Sequence, residues 1–127
     1  MTGVTWLLLL SGVALNAAAQ LLLKAATLRT GVLVSDSGQV MWSAATELLR
    51  SHPLWLGLMC YGISVLTWLG ALSRVPVSIA YPMLSIGYVV NVAAAALLFG
   101  EAVSIAKLSG IGLIVAGVFI LSRAAVQ

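Results

Sequence analysis

No charged side chain interrupts the chain from its first residue to Leu23, and three further stretches, 54–73, 75–100 and 104–122, carry only Lys107 between them. A helix needs about 20 mainly apolar residues to cross a hydrocarbon core about 30 Å thick. The pattern therefore predicts four transmembrane helices, at about 3–25, 53–73, 77–99 and 104–122, in one membrane domain over 1–127. The expected fold class is an all-α four-helix integral membrane bundle. Composition agrees, because 7% of the residues are charged against about 25% in a soluble domain. Too few charges exist to clothe a soluble globule. Cys60 stands alone, which excludes a disulfide scaffold. A net charge of +3 is too small for a nucleic-acid surface. The short alternating strands of a membrane barrel do not occur. The first span lacks a basic leading segment and is long enough to cross, so it is expected to be retained rather than cleaved.

The connections after the second and third spans are a few residues long and predict tight antiparallel hairpins. The first connection differs. Thr30–Gly38 reads as loop, whereas Gln39–Arg50 places Val40, Met41, Ala44, Ala45, Leu48 and Leu49 on one helical face. Ser43, Thr46, Glu47 and Arg50 fall on the other. This predicts an amphipathic helix over about 39–50, resting at the membrane interface, with Asp36 or Ser37 as its cap. Lys24, Arg29, Arg50 and Lys107 lie on one side of the membrane, and Arg74 and Arg123 on the other. The positive-inside rule then puts both termini outside the cytoplasm.

Polar groups at membrane depth are costly and mark packing contacts or a pathway. In the first span Asn16, Gln20 and Lys24 stand at i, i+4 and i+8, a single stripe. They either hydrogen-bond to neighbouring helices, with Lys24 snorkelling to the interface, or form a track for an anionic, hydroxyl-rich head group. The third span carries Tyr81, Ser85 and Tyr88 at i, i+4 and i+7, with Asn91 nearby. Pro82 removes a backbone donor and is expected to bend the helix there, a device common in transporters. Ser64, Thr67 and Trp68 form a weaker set in the second span. Gly110 and Gly117 in the fourth span share one face and predict a helix–helix interface between subunits. No catalytic set, metal-ligand spacing, cofactor motif or Walker loop is present. The only histidine is His52, and the three carboxylates, Asp36, Glu47 and Glu101, are dispersed. An ATP-driven pump or a membrane enzyme is not expected.

Val75-Pro76-Val77-Ser78-Ile79-Ala80-Tyr81-Pro82-Met83-Leu84-Ser85, the span ending Leu98-Phe99-Gly100-Glu101, and the glycine-rich Gly110–Val118 segment carry a resemblance. The chain resembles the small multidrug resistance and EamA-like branch of the drug/metabolite transporter superfamily. Within it, the third-span motif is most similar to the small subunits of the undecaprenyl-phosphate aminoarabinose flippase. The resemblance covers all four spans but not the 30–52 insertion. One departure matters. Proton-coupled exporters of the group carry a membrane-embedded Glu in the first span, and aligning its ending with Leu22-Leu23-Lys24 puts Asn16 there. An amide cannot release a proton, so proton/drug antiport is disfavoured.

The resemblance implies a flippase, or a subunit of one, for an undecaprenyl-phosphate-linked sugar, with 4-amino-4-deoxy-L-arabinose expected. It would act in the bacterial inner membrane, serving lipid A modification. The residues expected to line a lipid-open groove are Asn16, Gln20, Trp68, Tyr81, Ser85 and Tyr88. Lys24 or Arg74 would capture the phosphate, and Glu101 a cation or a substrate amine. Four helices are few to enclose such a path, so a homodimer or a pairing with a similar four-span subunit is expected. Membrane lipid is the other partner, with no metal, cofactor or nucleic acid. The rivals are a small-solute transporter for polyamines or cationic drugs, and a non-transporting subunit that stabilises a glycosyltransferase.

Overall fold

The computed structural model describes residues 2–124 and contains six helices among them. α1 (Gly3–Thr30) begins at Thr2, whose hydroxyl accepts the Thr5 N–H at 3.4 Å. It ends at Gly31, which adopts the positive φ of 83° that favours glycine and donates its N–H to the Thr27 carbonyl. At about 1.5 Å per residue α1 is about 42 Å long, longer than the hydrocarbon core. Its end lies five residues beyond the expected one. Lys24 opens no break, since its long side chain reaches outward while the helix-forming residues that follow continue the turn to Gly31.

Residues 31–41 form a small loop closed by an antiparallel bridge between Val34 and Val40, with Gly38 donating to the Ser35 carbonyl at 2.8 Å. Asp36 and Ser37 sit in that turn. Neither caps the surface helix, which is a correction to the expectation. α2 (Trp42–Leu49) instead starts at Met41, with no side-chain cap. Loop hydrogen bonds already occupy the backbone before it, Met41 donating to the Leu33 carbonyl at 2.8 Å. Ala44 is buried, while Trp42 and Leu49 stay exposed on the outer surface.

α3 (His52–Leu72), with Pro53 in its first turn, runs back antiparallel to α1 and makes the closest packing of the molecule with it. Small residues permit that approach. A Cβ on Gly57 would stand 3.2 Å from Leu22 and Leu23, and one on Gly12 3.3 Å from Thr67. The third span is broken into α4 (Val77–Met83) and α5 (Ser85–Phe99), with a turn at Leu84. Pro82 cannot donate to the Ser78 carbonyl, and Leu84 bonds to Tyr81 three residues back, which tightens the chain into the turn. α6 (Ile105–Ala124) leans on α4 and α5 and has no buried residue. Leu9, Ala71, Val75, Ala80 and Met83 form the core, joined by Val118 of α6. All four spans, Gly3–Thr30, His52–Leu72, Val77–Phe99 and Ile105–Ala124, are long and apolar enough to cross a membrane. The protein is an all-α, multi-pass membrane bundle. We call the end carrying α2 the loop face and the other the terminal face.

Candidate functional site

A cleft of about 280 Å³ opens midway along the bundle. Its walls are Asn16 and Gln20 from α1, Tyr61, Ser64, Val65 and Trp68 from α3, Tyr81 from α4, and Leu84 at the break. Asn16 and Gln20 are one helical turn apart and present two amides along one wall. Ser64 is 6% exposed, and its hydroxyl donates to the Gly12 carbonyl at 3.1 Å, tying α3 to α1. Trp68 and Tyr81 meet edge to face at a centroid distance of 5.9 Å and 87°. The lining offers amide, phenol, hydroxyl and indole groups and no side chain that is charged at neutral pH. Such walls hydrogen-bond hydroxyls in any orientation but give little stabilisation to an isolated ion.

Five of the residues singled out from sequence, Asn16, Gln20, Ser64, Trp68 and Tyr81, therefore share one cleft. Ser85 and Tyr88 do not join it. Ser85 faces an apolar groove of about 380 Å³ between α5 and α6, where Trp6, Ile86, Val118 and Phe119 are among its neighbours. Tyr88 and Glu101 line a smaller cleft of about 200 Å³ at the α5–α6 corner, together with Asn91 and Lys107. There the Asn91 Oδ1 is enclosed and has no hydrogen-bond partner, while Lys107 Nζ donates to the Ala102 carbonyl at 2.9 Å. Lys24 and Arg74 are exposed, near opposite ends of the bundle. A Cβ on Gly110 or Gly117 would meet nothing within 4 Å. Among the described residues no three His, Cys, Asp or Glu side chains group as metal ligands. Tyr61 belongs to the cleft and was not anticipated. Its spacing from Ser64, Val65 and Trp68 (i, i+3, i+4, i+7) is the signal that marks it.

The family described as "Small Multidrug Resistance protein" matches residues 35–114. The chain belongs to the small multidrug resistance family. Relatives within reach are named as flippase subunits. The "Probable 4-amino-4-deoxy-L-arabinose-phosphoundecaprenol flippase subunit ArnF" of Erwinia tasmaniensis is 42% identical over 114 residues, covering 88% of this chain and 89% of its own. The subunit ArnE of the same name from Pseudomonas savastanoi is 36% identical, covering 95% and 99%. ArnE of Pseudomonas aeruginosa is 46% identical over 80 residues, covering 63% and 70%. No solved structure matches the chain. In this small multidrug resistance protein, Asn16, at the position where the resemblance expects a carboxylate, sits in the cleft wall.

Proposed function

We propose that the chain is a subunit of a flippase that moves a polyprenyl-phosphate-linked sugar, 4-amino-4-deoxy-L-arabinose, across the bacterial inner membrane. The observation that carries this reading is the mid-span cleft, polar yet free of charged side chains, with an amide at Asn16. Moving a sugar through hydrocarbon exposes several hydroxyl groups, each costing about 2–7 kcal/mol when left without a partner. Asn16, Gln20, Tyr61 and Tyr81 replace those water contacts one for one, and the aromatic pair packs against the ring. The polyprenyl tail stays in lipid beside the open cleft. The names of the relatives point to the same cargo. Assembly completes the path. α6 buries none of its residues and Gly110 and Gly117 stand open, so a second copy or a similar four-span subunit packs there.

The test is translocation of a short-chain polyprenyl-phosphoryl aminosugar in liposomes, read by its protection from an impermeant amine reagent. The protein with its partner subunit is expected to transport the lipid, and Asn16→Leu to lose most of the rate. Absence of transport, with saturable uptake of a water-soluble polyamine instead, overturns the reading. That second reading, a small-cation transporter, draws on one feature, Glu101 in the α5–α6 cleft.

A further inference from the structure

We propose a separate binding site on the loop face, a station for the phosphate of a membrane lipid, formed by Arg29 and Arg50 with His52. These side chains converge on a cavity of about 380 Å³, whose other walls are Thr30, Glu47 and Ser51. It sits where three helix ends meet. Thr30 closes α1, Arg50 follows the last residue of α2, and Ser51 and His52 open α3. The backbone there is pinned. Arg50 donates its N–H to the Glu47 carbonyl at 3.1 Å, the Ser51 hydroxyl donates to Leu48 at 2.7 Å, and Trp55 Nε1 donates to Leu49 at 2.9 Å.

The chemistry selects a phosphate. Two of the four arginines in the chain line this one cavity against a single carboxylate, Glu47. Guanidinium presents a planar fork of donors that matches phosphate oxygens two at a time. The surroundings select a lipid as its carrier. Trp42 at the start of α2, and Leu49 and Trp55 on either side of the α2–α3 turn, are exposed, and amphipathic tryptophans settle at the head-group level of a bilayer. Basic pockets at that level draw anionic head groups. The cavity is distinct from the mid-span cleft. Gln20 and Thr30 are about 15 Å apart along α1 at about 1.5 Å per residue, more than a sugar phosphate spans. One molecule cannot put its sugar at Asn16 and its phosphate here, so this is a docking station that precedes or follows the crossing.

The site stands on its own chemistry; that its phosphate belongs to the transported lipid rests on the flippase reading. The test uses the full-length protein in nanodiscs of phosphatidylcholine, with farnesyl phosphate as probe and farnesol as the phosphate-free control, read by native mass spectrometry. The double variant R29Q/R50Q is expected to weaken farnesyl phosphate binding by tenfold or more and to leave farnesol unchanged. Arg123→Gln, which removes a cation in the last turn of α6, should bind as the parent does. R29K/R50K keeps the charge and loses the fork, and should lose binding several-fold; it also serves if R29Q/R50Q does not insert. Wild-type binding in either arginine variant, or an equal loss for farnesol, overturns the proposal. Competition with phosphatidylglycerol identifies the source. Displacement marks a station for any lipid phosphate, and resistance marks one selective for polyprenyl phosphates; both support the site. In the liposome assay R29Q/R50Q should raise the half-saturating lipid concentration at unchanged maximal rate, whereas Asn16→Leu lowers the maximal rate. Failure of transport altogether would strike the flippase reading and leave the binding result standing.

Discussion

Replacing Gly57 with alanine tests the α1–α3 contact that positions the cleft. The new Cβ would lie 3.2 Å from Leu22 Cβ and 3.2 Å from both Cγ and Cδ2 of Leu23. Carbon atoms settle at about 3.5–4.0 Å, so each contact is short by about 0.3–0.8 Å. Leu23 has rotamers to give, but Leu22 Cβ is fixed to the α1 backbone, and the helices must part. Overpacking of this kind costs about 1–3 kcal/mol. Alanine also favours helix over glycine by about 0.8–1 kcal/mol, which offsets part of the loss. Gly62 supplies the control, lying in the same helix with nothing within 4 Å of its Cβ position. Gly62→Ala should gain the propensity term alone. The two variants share that term, so their difference isolates the steric cost, expected at about 1–3 kcal/mol. Unfolding in mixed micelles by added dodecyl sulfate, followed by far-ultraviolet circular dichroism, measures it. Equal stabilities for Gly57→Ala and Gly62→Ala would refute the packing argument.

Four further outcomes are expected. Asn16→Ala and Gln20→Ala should each slow liposome translocation by about five- to tenfold, the value of one lost hydrogen bond of about 1–1.4 kcal/mol. Ser64→Ala removes the bond to the Gly12 carbonyl and should destabilise the bundle by about 0.6 kcal/mol, the average for interhelical hydrogen bonds in membranes, measured in the same micelle titration. Pro82→Ala restores a donor to the Ser78 carbonyl and should straighten the third span, raising thermal stability while lowering transport; a variant with both unchanged would remove the break from the mechanism. Gly110→Leu with Gly117→Leu should leave single-subunit helicity intact, because a Cβ at either position meets nothing within 4 Å, while abolishing the proposed oligomer, as read by cross-linking in membranes.

The spans are legible because charge is what hydrocarbon forbids, and each stretch nearly free of it is helical, the third as the two helices α4 and α5. Helix ends are less so. Lys24 reads as a boundary, yet a flexible ammonium can reach the interface from inside a helix, and α1 stops only at Gly31. Asp36 and Ser37 have the chemistry of caps, but the Val34–Val40 bridge takes that segment into a turn first. The cleft was half visible. Asn16 and Gln20 follow from a continuous helical period. The same period groups Tyr81, Ser85 and Tyr88, but the turn at Leu84 resets it and sends the three side chains to three different cavities. Arg29 and Arg50 are 21 positions apart, and only the folding of α2 against α1 brings them to one cavity.

The unburied α6 has a consequence for how much working protein a cell holds. Lipid tails are as apolar as the side chains of α6, so no hydrophobic force presses this helix onto the other three. If the proposed second subunit packs on α6, the docking of α6 and the pairing of subunits become a single equilibrium. That equilibrium follows mass action in two dimensions, with protein-to-lipid ratio in place of molar concentration. Subunits made in excess of their partner would then hold α6 through α4 and α5 alone, with its outer face open to membrane proteases. In the proposed assembly, balanced synthesis of the two partners, more than the stability of either one alone, would set the number of transporters.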